Sequence, residues 1–239
     1  MKLEEGHSGF TEWGWLNFGF ENYYALLNCG FRLTPTAGTA SGVHPVPLGH
    51  SRVYVHLDGP FNSNAWIEGL RQGRSFVTTG PMLFAKVDGK YPGHVFEQTE
   101  ERSKAITVDI SSLSGRPIAR IEVLVNGVVA KTMTPQNTKT PDNAFSTDAT
   151  IRLSVAEASW IAVRSIQPMD DGRNRFAHTA PWHIEIAEKL IRPRKKEINF
   201  LIRRVADEIK RNEGILNEAA MAEFREVLEI YRKIAERAR

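Results

Sequence analysis

Histidines near a loop are the first candidates for chemistry in this chain, and they fall in two neighbourhoods. Residues 33–49 read Leu-Thr-Pro-Thr-Ala-Gly-Thr-Ala-Ser-Gly-Val-His-Pro-Val-Pro-Leu-Gly, which places His44 inside a loop and His50 just beyond it. Imidazole is a good ligand for zinc or iron at neutral pH. A catalytic metal site needs at least three protein ligands around an open position, yet residues 37–49 contain no Asp or Glu. His7 stands among Glu4, Glu5 and Glu12, at spacings that match no metal motif. The candidate metal ligands are therefore His7, His44 and His50. The competing reading makes all three ordinary polar residues of loops and an acidic N-terminal segment. No catalytic residue can be assigned: Gly-x-Ser-x-Gly is absent, no glycine-rich loop is placed to cradle phosphate, and Cys29, the single cysteine, follows an apolar helix face.

The elements that must position these residues fall into successive blocks. A helix is predicted over Glu21–Asn28, stopped by Gly30, and a strand over Phe31–Thr36 that would deliver the loop from its C-terminal edge. Arg52–Leu57 alternates as a strand, Asn62-Ser63-Asn64 can cap a helix carrying Trp66, Ile67 and Leu70, and Arg74–Pro81 reads as a strand closed by a Gly-Pro turn. From Met82 to Ile186 the pattern is all β, with the Asp88-Gly89 and Asn126-Gly127 turns between β-branched runs and a polar run at Thr134–Asp148 expected to be a mobile loop. Ile198, Leu201, Ile202, Val205 and Ile209 keep helical spacing, and Asn217 can cap a second helix. The predicted domains are 1–81, a β-sandwich at 82–190, and a helical hairpin at 191–239.

Composition narrows the partners. Hydrophobic residues make up 41% and charged residues 25% of 239, as in ordinary globular proteins. Residues 194–239 hold 12 Lys and Arg against 9 Asp and Glu, so the whole net charge of +3 sits there and the rest is balanced. A mixed-charge helical tail reads as a solvated face, so no nucleic-acid partner is expected. No apolar run reaches the length of a membrane span and no signal pattern follows Met1, so the reading is cytoplasmic, with no membrane partner. The aromatic run Phe10, Trp13, Trp15, Phe18, Phe20, Tyr23 and Tyr24 lacks interleaved Lys or Arg. It is expected to pack in the core or, with the helical hairpin, to form a homo-oligomer or partner-protein contact. Trp160 or Trp182, were either exposed on a concave face, would suggest carbohydrate binding.

Several stretches, in order, carry a family likeness: Tyr24–Arg32, Thr36-Ala-Gly-Thr39, Pro47-Leu-Gly49 with Arg52-Val-Tyr-Val55, Ala65–Val77 with Thr79-Gly-Pro81, and Phe176-Ala-His-Thr-Ala-Pro181. Over residues 20–186 the chain resembles the C-terminal part of the CehA/McbA-type metallohydrolases of the PHP (polymerase and histidinol phosphatase) superfamily. The resemblance implies an α+β fold, with the remnant of a PHP-type β/α barrel followed by an antiparallel β-sandwich and a C-terminal helical hairpin. It also implies divalent metal (zinc, manganese or iron) and hydrolysis of phosphate or carbamate-type esters by metal-activated water. The family's last motif has the form Ala-Gly-Ser/Thr-Asp-x-His, and here its Asp position is Ala40 and its His position is Gly42. The reading is thus a partial or degenerate PHP-type protein serving structure or binding. The alternative is a metal-dependent hydrolase whose ligands are completed by missing sequence or a second chain.

Overall fold

Every residue of the strand β10 (Ser159–Pro168) except Pro168 is buried, and a strand with no exposed edge must have its backbone paired on both sides. In the computed structural model, which describes residues 11–40, 42–43, 46–100 and 102–239, β6 (Arg120–Val125) lies along one edge of β10. The other edge is shared. β12 (Trp182–Ile186) pairs with Ser159–Ile161, and β11 (Asn174–Thr179) pairs with Arg164–Pro168. From β11 the sheet continues through β2 (Ser75–Thr78) to β1 (Arg52–Val55), and from β12 to β4 (Val95–Gln98), while β7 (Val128–Met133) flanks β6. The pairing of β12 with β4 is parallel and the others are antiparallel.

A second, four-stranded sheet runs β3 (Met82–Val87), β5 (Lys104–Ser114), β9 (Phe145–Val155) and β8 (Thr138–Lys139). The alternating burial of β5 gives this sheet an inner and an outer face. Leu83, Ala85, Val87, Ile106, Val108 and Ile110 from its inner face join Phe76, Ile121, Val123, Ile161, Val163 and Trp182 of the larger sheet in one buried cluster. The two mirror-type turns form as the residue pairs predict: Asp88 and Gly89 have φ of 46° and 75°, Asn126 and Gly127 of 51° and 76°.

By contacts the described chain divides into two units, residues up to Arg32 with Ile191–Arg239, and Leu33–Leu190. In the first, α1 (Glu12–Asn28), α3 (Lys195–Asn212) and α4 (Glu218–Ala235) bury Ala25, Cys29, Ile198, Leu201, Tyr231 and Ile234 together. Phe18 meets Phe200 edge to face at 6.5 Å, and Arg237 Nη2 donates to the Cys29 carbonyl that ends α1. Buried Glu197 accepts from Asn28 Nδ2, pairs with Arg194, and closes a capping box at the start of α3. The second unit adds α2 (Ser63–Arg71), whose N-cap Asn62 accepts from Ala65 N.

The α+β class holds, and neither sheet closes into a barrel. Four local expectations need correction. The first helix begins at Glu12, capped by Thr11, so most of the aromatic run is helical; Gly14 and Gly19 masked that periodicity. Residues 31–40 form no strand, because Pro35 has no N–H to pair and Leu33 is exposed. The run Thr134–Asp148 is not a free loop. It contains β8 and the start of β9, and Asn137 clasps both the N–H and the carbonyl of Ile118. The β sheets are also not wholly antiparallel and not confined to 82–190, since β1 and β2 join the larger one. The strand pair β1–β2 is itself antiparallel, unlike strands of a β/α barrel.

Gly93 shows how tightly the second unit closes. Its φ is +84°, its N–H donates to Pro181 O, and a Cβ there would stand 1.8 Å from Gln72 O. Gly93→Ala should cost about 3 kcal/mol or more in urea unfolding. Gly89→Ala, at φ +75° with nothing within 4 Å, should cost only about 1 kcal/mol. Equal losses would refute the packing argument.

Candidate functional site

The loop of residues 37–49 is tied at its base by Thr39, whose Oγ1 accepts from Ser51 N at 3.2 Å and donates to Ser51 O at 3.3 Å. His50 lies half-buried in the turn that follows, its N–H donating to Pro47 O. His7 and His44 lie outside the described residues. Among those that are described, no group of three or more His, Cys, Asp or Glu is arranged to hold a metal ion. Ala40 has φ +50° and Gly42 +88°. The left-handed conformation at position 40 is one that Asp and Asn tolerate and alanine disfavours.

The other residues singled out from sequence serve the fold. Thr78 Oγ1 donates to Pro81 O and accepts from Gly80 N, and Thr79 Oγ1 accepts from Phe176 N, so the Thr-Thr-Gly-Pro hydroxyls are committed to their own turn and to β11. Trp160 and Trp182 are fully buried, with Trp182 Nε1 donating to Lys90 O, so neither can serve as a sugar platform. Burial pushes the Cys29 thiol up to about 12, which removes it as a nucleophile. His178 is buried, and its Nδ1 donates to Thr179 O at 2.7 Å. Burial first, and the Arg164 charge as a lesser cause, bring its pKa down to about 4.

Within residues 33–190 a cleft of about 560 Å³ opens between the β1–β2 edge of the larger sheet and β3, β5 and β9. Tyr54 lies opposite Phe76 across β1–β2, and His56 N donates to Arg74 O one step further along. By strand alternation Tyr54, His56, Arg74 and Phe76 share one face. Tyr54 stacks on Phe76 with centroids 5.2 Å apart. His56 stacks on Tyr91 at 3.6 Å, and Lys86 Nζ lies 4.5 Å from the Tyr91 centroid. Asp58 binds both His56 and Arg74: its Oδ1 is 3.2 Å from His56 Nε2, and its Oδ2 accepts from Arg74 Nη1 at 2.7 Å. Ser75 faces away from His56 by the same alternation, so no Ser-His-Asp relay is built.

Two rungs of the smaller sheet's outer face contribute to the cleft. Phe84, Ser111 and Asp148 stand opposite one another on β3, β5 and β9, and Lys86, Asp109 and Thr150 form the next rung. Asp109 Oδ1 accepts from Thr150 Oγ1 at 2.8 Å. None of these residues was marked as functional from sequence. The available signal was Phe84, an aromatic on the polar phase of a strand whose Leu83, Ala85 and Val87 point inward. Aromatic walls with a few convergent polar groups are what a small-molecule site requires.

No family model, characterised relative or solved structure matches the chain.

Two outcomes follow for His178 and Ala40. Unfolded histidine takes up its proton near pH 6.5, whereas His178 in the fold does so only near 4. Below pH 6.5 the unfolded state thus binds more protons, and stability falls with acid by about 2 kcal/mol between pH 7 and pH 5. Urea denaturation at those two pH values checks this, and a flat profile would refute it. Ala40→Gly should raise stability by up to about 1 kcal/mol by relieving the left-handed alanine. A lowered melting temperature would contradict that.

Proposed function

We propose that this chain is a ligand-binding module descended from the C-terminal part of a PHP-type metallohydrolase, rather than a competent hydrolase. In this reading residues 1–81 derive from part of a β/α barrel, and the loop that once held metal has lost ligands from its motif. Ala40 has no lone pair to offer a metal and Gly42 no side chain. The observation that carries the binding reading is the cleft beside β1 and β2. It has the volume of a small-molecule site and gathers aromatic rings with hydroxyl and carboxylate groups.

Elemental analysis of protein purified without chelator tests the proposal. The expected result is metal content far below one ion per chain and no hydrolysis of p-nitrophenyl phosphate with added zinc, manganese or iron. Stoichiometric metal together with metal-dependent turnover would overturn it and favour a hydrolase whose ligands, His44 or His7 among them, are completed by another segment or a second chain.

A further inference from the structure

We infer that the cleft binds a neutral saccharide through the rung Phe84–Ser111–Asp148; this rests on the binding-module reading. Phe84 is the platform. It lies on the outward phase of β3, is 53% exposed, and meets Phe76 edge to face at 5.8 Å, a contact that fixes its ring. An aromatic face carries partial negative charge and attracts the weakly positive C–H groups on the apolar side of a sugar ring. Ser111 and Asp148 occupy the two neighbouring strands directly across from it, and neither side chain makes a hydrogen bond or ion pair among the described residues. Strand spacing sets the hydroxyl and the carboxylate about 5 and 10 Å from the root of Phe84. That is a reach suited to the hydroxyls of one or two sugar rings lying over the phenyl group. An ionised carboxylate only accepts hydrogen bonds, and a serine hydroxyl both donates and accepts. The ligand must therefore combine an apolar face with several O–H donors.

The surrounding charges disfavour anionic ligands. Arg74 is held by Asp58, Lys86 lies over Tyr91 and opposite Asp109, and Asp109 also accepts from Thr150. With Asp58, which holds Arg74, three carboxylates stand against two cations. An anion would meet Asp148 at a repulsive cost that a neutral polyol avoids, and the titration with glucosamine tests the cationic alternative.

The test is NMR titration of the ¹⁵N-labelled chain with maltotriose, cellotriose and xylotriose, and in parallel with glucose 6-phosphate and glucosamine. At least one neutral trisaccharide should give saturable shifts centred on Phe84, Ser111 and Asp148. Phe84→Ala and Asp148→Asn should each weaken that binding about tenfold, as expected when a stacking face or a hydrogen-bonded charge is lost. Both sites are on the surface, and unchanged melting temperatures will show that the variants fold. Three results would overturn the inference: no shifts with any neutral saccharide, tighter binding of either charged sugar at these residues, or undiminished binding by both variants. Metal analysis of the same preparation reads out the binding-module proposal separately, so the two can fail independently.

Discussion

Burial of β10 is the constraint from which the larger sheet follows. A strand with both faces covered exposes no backbone group to water, and each unpaired N–H or carbonyl would cost on the order of 1–3 kcal/mol. One long neighbour, β6, satisfies one edge, and the other is divided between β11 and β12. Where that division leaves a gap, the Thr179 hydroxyl accepts from Val163 N at 3.0 Å, replacing the missing ladder partner. The strand also carries Arg164 inward, and buried Glu122 on β6 compensates it at 2.5 Å with Arg120 alongside. Removing Glu122 would take the buried carboxylate from Arg164 and Arg120 alike.

The break between β11 and β12 shapes the cleft. Its two residues, Ala180 and Pro181, have their backbone captured by Ser75 O and Gly93 N, the latter from the segment between Tyr91 and β4. The same arrangement carries β2, and with it β1, outward on one side and Tyr91 on the other. Tyr54, Phe76, His56 and Arg74 are thereby held over the smaller sheet by ladder bonds rather than by a pliable loop. A site whose walls are strands loses little conformational entropy when a ligand arrives.

Much of this architecture was legible in the sequence, because local signals act locally. Asn126-Gly127 and Asp88-Gly89 specify their turns by backbone conformation alone, Asn62 and Asn217 cap as their chemistry dictates, and the hairpin helices follow their apolar spacing. Long-range pairings were not legible. Nothing in Val95–Gln98 announces a parallel partner 88 residues on, and nothing in Asn137 announces Ile118. The aromatic run concealed a helix because glycines interrupt it. The cleft was missed for a related reason: Phe84, Ser111 and Asp148 are remote in sequence, and only strand register sets them in a row. His50 was legible as a loop residue, while the histidines that would decide a metal role, His7 and His44, fall outside the described residues.

The first unit is assembled from the two ends of the described chain, and this has a consequence for biosynthesis. α1 is made before residues 33–190, but Ile198, Leu201, Tyr231 and Ile234, which cover its buried face, are made only after them. At about 5–20 residues per second, α1 waits roughly ten to forty seconds for the last of them. During that interval the β-rich insert can fold around its own core, and Phe18, Ala25 and Cys29 remain without their final neighbours. Of the described helices α1 is therefore the one left exposed to chaperone capture or misassociation for that interval, which ends only when α4 is complete.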